Sequence, residues 1–152
     1  MTIRFGLAEG MLAGGFAALT FHQPAAAVLH ALGLFPVAPF DLSAGPSGLP
    51  ALVKSMLWSA GWGALFVLGL RLPAMRRVPV ALAATVYAAT IPIAFLFIVL
   101  ALWKGFPLAY GMPAVLAAMV VLSHAAWGFG IALWLFGLRG IARGMRFGPA
   151  MP

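Results

Sequence analysis

Four apolar stretches, each about as long as a lipid bilayer is thick, constrain this chain more than any other feature. A spanning helix needs about 20 mostly apolar residues, and residues 7–33, 50–70, 78–102 and 112–138 each supply them. A Pro/Gly-rich stretch (Phe35 to Pro50), a short basic turn (Arg71 to Arg77) and a second Pro/Gly loop (Lys104 to Gly111) connect them. Only 7% of the residues are charged and 64% are hydrophobic, whereas a soluble domain carries about a quarter charged residues. That leaves too little polar surface to coat a globule in water, so lipid must be the solvent. The expectation is a single integral membrane domain over residues 1–152. Its fold class is all-α: a polytopic transmembrane four-helix bundle with a basic tail at 139–152.

The start, MTIRFGLAEG, places one arginine before an apolar run, as a signal peptide does. The run passes Gly33 without a clean small-residue cleavage site, and histidine and proline interrupt it. It is expected to stay as a spanning helix.

The formal charge is +7, but the arginines flank apolar runs and form no patch interleaved with aromatics. Nucleic acid is therefore not an expected partner; the lipid bilayer is. Lys/Arg placement sets orientation. In a four-span chain Arg4, Arg71, Arg76, Arg77, Arg139, Arg143 and Arg146 share one side, against Lys54 and Lys104 on the other. Both termini are then cytoplasmic and the Asp41 loop external. There is no cysteine, which removes disulfides, thiol redox chemistry and cysteine metal sites.

The two halves look related. "GLPALVKSMLWSAGWG" (48–63) and "GMPAVLAAMVVLSHAAWG" (111–128) share Gly-x-Pro-Ala at the start and Trp-Gly further on, with two extra residues in the second copy. Two hairpins in one orientation would make a parallel repeat about an axis along the membrane normal. Gly-Pro is also common punctuation at a helix entrance, so duplication and coincidence both stay open.

Small residues recur at four-residue spacing: Gly6, Gly10, Gly14 and Ala18; Ser55, Ser59 and Gly63; Ala81, Thr85 and Ala89; Gly128 and Ala132. Helices in lipid associate through close backbone approach, which such stripes permit. The Gly6, Gly10 and Gly14 stripe is also the candidate face for self-association. Pro24 and Pro92 each remove a helical hydrogen bond and are expected to bend their helices.

Polar residues inside the spans are few. His22 extends the small stripe of the first helix and His124 that of the fourth, so both are expected to face protein. At about 1.5 Å per residue, His22 lies roughly 20 Å from the start of its span and His124 roughly 17 Å from the entrance of its own. Their depths are thus comparable, although adjacency of the two helices cannot be read from spacing. Gln23 is expected to bridge helices or cap carbonyls freed by Pro24, and His30 to sit near the interface. Glu9 suits the helix N-terminus or a basic partner, and Asp41 a loop turn.

These residues admit three functional classes. Haem b ligation would use His22 and His124 as axial imidazoles on facing helices. A quinone or small-solute pocket would be lined by His22, Thr20, Gln23 and Ser123. The plainest reading is interhelical hydrogen bonding that satisfies neutral imidazoles. The lack of a mid-membrane carboxylate weakens an ion- or proton-coupled transporter. No catalytic or metal-ligating motif appears, and Ser123 and His124, being adjacent, point to different faces.

"FHQPAAAVLHALGLFPVAPF" resembles small four-helix inner-membrane proteins of proteobacteria. They are similar in carrying Phe-His-Gln in the first helix (Phe21, His22, Gln23) and then Leu-His (Leu29, His30). A Pro-Phe loop (Pro39, Phe40) and a Trp-rich second helix (Trp58, Trp62, Gly63) follow. The resemblance covers mainly the first half. It implies a multi-pass protein of the bacterial inner (cytoplasmic) membrane and carries no activity. The leading expectation is a non-enzymatic accessory or partner-binding bundle, with a homo-oligomer or a membrane protein as partner. The alternatives are a haem- or quinone-binding redox component and a small-solute channel or transporter.

Overall fold

A computed structural model describes residues 5–35 and 38–146. Its four long helices are α1 (Leu7–Ala31), α2 (Ala51–Gly69), α3 (Val80–Trp103) and α4 (Ala114–Arg146). All four are long and apolar enough to cross a membrane, and among the described residues there is no strand. The outward faces explain why the bundle needs lipid. Leu57, Leu65, Leu82, Val86, Ile91, Ile98, Leu122 and Leu133 are all exposed, an apolar surface of a kind that water-soluble monomers rarely carry.

The helix starts are set locally. Gly6 caps α1, and its N–H donates to the Glu9 carboxylate over 2.6 Å, which places a negative charge in the first turn. Pro50 and Pro79 cap α2 and α3, where a missing N–H costs nothing. The basic turn folds as a 3-10 segment, Pro73–Arg77. Helix α4 continues beyond the 138 expected from hydropathy and takes up the first part of the basic tail, through Arg146. Neither Arg139, Arg143 nor Arg146 opposes helix formation, and the first proline after 113 is Pro149. Arg4 and residues 147–152, on which part of the orientation and tail readings rests, lie outside the described residues.

Glycine governs the two tightest crossings. A Cβ on Gly63 of α2 would collide with Gly10 O and lie 2.9 Å from Gly14 Cα, and one on Gly14 would collide with Ser59 O. At the other crossing, a Cβ on Gly128 of α4 would collide with Ala84 O and lie 2.8 Å from Thr85 Cα of α3. Helices α1 and α4 pack together along the middle, around Ala13, Ala17, Trp127, Ile131 and Leu135, all buried. Trp127 Nε1 donates to Gly14 O over 3.0 Å, and Trp134 Nε1 to Thr20 Oγ1 over 2.9 Å. At the basic end Glu9 pairs with Arg139 over 3.4 Å, and Arg139 lies 4.0 Å over the Phe5 ring.

Two expectations about packing change. Gly6 is exposed, and its Cβ would meet only Glu9 at an ordinary 3.6 Å, so it caps α1 and packs no helix. The Gly10 and Gly14 face proposed for self-association is covered by α2 of the same chain. The last fold element, α2 against α3, is loose. The two meet through rings: Trp62 and Phe95 at 5.5 Å, Trp58 and Phe95 at 5.9 Å, and Tyr87 with Phe66 at 5.2 Å. One hydrogen bond, Tyr87 OH to Trp62 O over 3.0 Å, crosses this seam.

Gly63→Leu is expected to open the α1/α2 crossing and to destabilise the bundle by at least the roughly 1–3 kcal/mol typical of overpacking. Gly61→Ala, where a Cβ meets nothing within 4 Å, should leave stability unchanged or slightly raised. Thermal or denaturant unfolding in a fixed detergent distinguishes the two.

Candidate functional site

Two wound-open turns and a buried proline shape the middle of the bundle. Within α1 the residues Ala18–His22 form a π turn, and Gln23 N–H reaches back five residues to Ala18 O. Within α3, Phe95–Leu100 form a second π segment three residues after Pro92. Such wide turns insert an extra residue into the winding and often lie at functional sites. Both flank the same cavity.

His22 of α1 and His124 of α4 come together there. Their ring centroids are 4.9 Å apart and the planes stand at 88°, edge to face. Trp127 also packs against His124, with ring centroids 6.1 Å apart. A cavity of about 170 Å³ opens beside the pair. Each helix contributes to its wall: His22 from α1; Ser55, Trp58, Ser59 and Trp62 from α2; Pro92 and Leu96 from α3; His124 and Trp127 from α4. Trp58 is 55% exposed, so this wall faces outward across the loose α2/α3 seam.

Hydrogen bonding fixes the polarity of the pair. His124 Nδ1 lies 2.9 Å from Val120 O. A carbonyl can only accept, so Nδ1 carries the proton and Nε2 is left as a bare acceptor. His22 Nδ1 is buried and has no hydrogen-bond partner. A buried N–H without a partner is rarer than an unused acceptor, which assigns the His22 proton to Nε2. The two rings thus present one donor and one acceptor.

The other residues singled out from sequence go elsewhere. Thr20 Oγ1 donates to Phe16 O over 2.8 Å and accepts from Trp134. Gln23 Oε1 accepts the amide of Phe40 over 2.7 Å, holding a loop residue at φ 53°. Ser123 is fully buried and donates to Val120 O over 2.8 Å. None of the three lines the cavity. His30 Nδ1 donates to Phe35 O over 2.7 Å at the exposed end of α1. Asp41 accepts Ser43 N–H over 2.8 Å, and its hydrogen bonds with Ser43 hold its carboxyl below the usual range. The stabilisation these hydrogen bonds add is therefore fully present above the usual carboxylate pKa and is lost as pH falls through the lowered value.

Sequence reading missed Ser55, Trp58, Trp62, Pro92, Leu96 and Trp127 as one wall. The signal existed, because residues 55, 58, 59 and 62 recur at three- and four-residue spacing and share one face of α2. It reads equally well as packing, and Ser59 does both.

The arrangement does not fit a haem. Axial ligation needs a macrocycle between two imidazoles, whereas these rings touch edge to face. The cavity has room for about one six-membered ring, since a cavity of about 150 Å³ takes up a benzene. Among the described residues no third ligand-type side chain joins the two histidines.

Fold and site define a class: a multi-pass helical membrane bundle with a histidine pair packed beside an internal cavity. No family model, curated protein or solved structure matches the chain.

His22→Phe separates a site from interhelical glue. It replaces an unpaired buried nitrogen with carbon, so stability should stay level or rise by up to about 1–2 kcal/mol. A loss of more than about 1 kcal/mol on unfolding in detergent would make His22 a structural tie instead.

Proposed function

We propose that this protein binds a small lipid-soluble molecule in the cavity between its four helices and acts as a non-enzymatic component of its membrane. The observation that carries the reading is the histidine pair itself. Two imidazoles from facing helices meet edge to face and both line one cavity, and neither ring has a side-chain hydrogen-bond partner among the described residues. Proline and two π turns bend α1 and α3 around the same space, at the cost of regular helix hydrogen bonds. The loose seam between α2 and α3 offers entry from the acyl-chain region, and the half-exposed Trp58 lies at its mouth. Ligand sites in helical bundles form in such places, from side chains on facing helices.

Native mass spectrometry of the protein taken from its membranes in mild detergent tests this. Wild type should retain a small-molecule adduct. Ser55→Phe, which fills the cavity from α2, should lose it while keeping its helical circular dichroism. Equal retention by the two proteins, or none by either, would reject the reading.

The arginine distribution supports both termini lying on the cytoplasmic side, and the resemblance of the first half to proteobacterial proteins supports a bacterial inner membrane. A periplasmic reporter fused after Arg146 should be silent and a cytoplasmic one active. The reverse pattern would overturn the orientation.

A further inference from the structure

Resting on the cavity as a ligand site, we propose that its occupant is a single aromatic ring with a free hydroxyl, a phenol or hydroquinone head group. The hydroxyl is held between His22 and His124. Three observations converge on this class.

The first is size. About 170 Å³ is slightly more than the roughly 150 Å³ that takes up a benzene, so one lightly substituted ring fits and a fused ring system does not. The second is the wall. Trp58, Trp62 and Trp127 line the cavity and favour a flat π-system that meets them edge to face or offset. Among the described residues no charged side chain lines it, so an ionised ligand would be desolvated without a counter-charge. The third is the head chemistry. His124 Nε2 accepts, because its Nδ1 is committed to Val120 O, and His22 Nε2–H donates. A hydroxyl oxygen both gives and accepts through one atom and answers the two Nε2 positions together. A quinone carbonyl accepts only; it would answer His22 and leave His124 Nε2 without a donor. The cavity therefore prefers the hydroxylated, reduced ring over its carbonyl form. A tail on such a ring would leave between Trp58 and Leu96, toward lipid.

The probes are 4-fluorophenol and 4-fluorotoluene, nearly equal in shape and differing in the hydroxyl. Binding to the full chain in nanodiscs is read by fluorine NMR at matched concentration within the bilayer. The phenol should bind about tenfold more tightly, the worth of roughly one well-made hydrogen bond. In His124→Phe the acceptor is gone, and the ratio should fall to near one. If that variant fails to fold by circular dichroism, His22→Phe, which removes the donor, carries the same expectation. Equal binding of both probes to wild type would overturn the hydroxyl assignment while leaving the cavity a ligand site. Binding of neither would overturn both. A tenfold preference that survives in the folded variant would overturn the histidine contact.

Discussion

Where α1 crosses α2, Gly10 O and Ser59 O lie where a Cβ on Gly63 or Gly14 would have to go. Helices in lipid gain nothing from hiding apolar surface from one another, so association depends on dispersion and close polar contact between backbones. Glycine permits both. The same omission of a side chain exposes Gly14 O, and Trp127 of α4 takes it as an acceptor. One glycine thus ties α1 to two neighbours at once. Gly128 plays the matching part between α4 and α3. At the basic end, the ion pair of Glu9 and Arg139 closes the α1/α4 contact.

The two hairpins, α1 with α2 and α3 with α4, are each clasped by glycine at equivalent places in the suspected repeat, Gly63 and Gly128. Between hairpins the equivalence breaks. Helices α1 and α4 interlock through buried alanines and Trp127, whereas α2 and α3 stand apart and are bridged by rings. A bundle with one seam wider than its counterpart must leave space beside it. Here that space is the cavity, and the Trp-Gly anchors supply Trp62 and Trp127 to its wall.

The spans were legible because hydropathy over 20 residues is a long-range signal that no local accident reproduces. So was the glycine packing, apart from Gly6, whose place at a helix start gave it a capping role. Comparable depth for His22 and His124 also followed from rise per residue. Their contact did not, because helix adjacency depends on tertiary packing. The composition of the pocket failed for a related reason. Thr20 and Ser123 turn instead to their own helices at Phe16 O and Val120 O, and Gln23 reaches the Phe40 amide in the following loop. Short polar side chains on a helix compete first for local backbone groups. The π turns were invisible too, since an extra residue in the winding leaves no mark on composition.

Charge placement narrows what such a site can serve. Glu9 and Asp41 are the chain's only carboxylates. Glu9 is occupied by Arg139 and the Gly6 amide, and Asp41 by the Ser43 amide in the loop. Among the described residues no acidic side chain lines the cavity with the histidines, which weakens an ion- or proton-coupled reading of the site. What remains is a neutral pair of imidazoles, one giving and one accepting, against three indoles. A guest there gains from shape, ring contact and one hydroxyl's worth of hydrogen bonding, and from no net charge. Molecules of that kind partition into acyl chains before they meet any protein. A side seam closed by aromatic rings is therefore the physically consistent entrance, and a water-filled axial pore is not required.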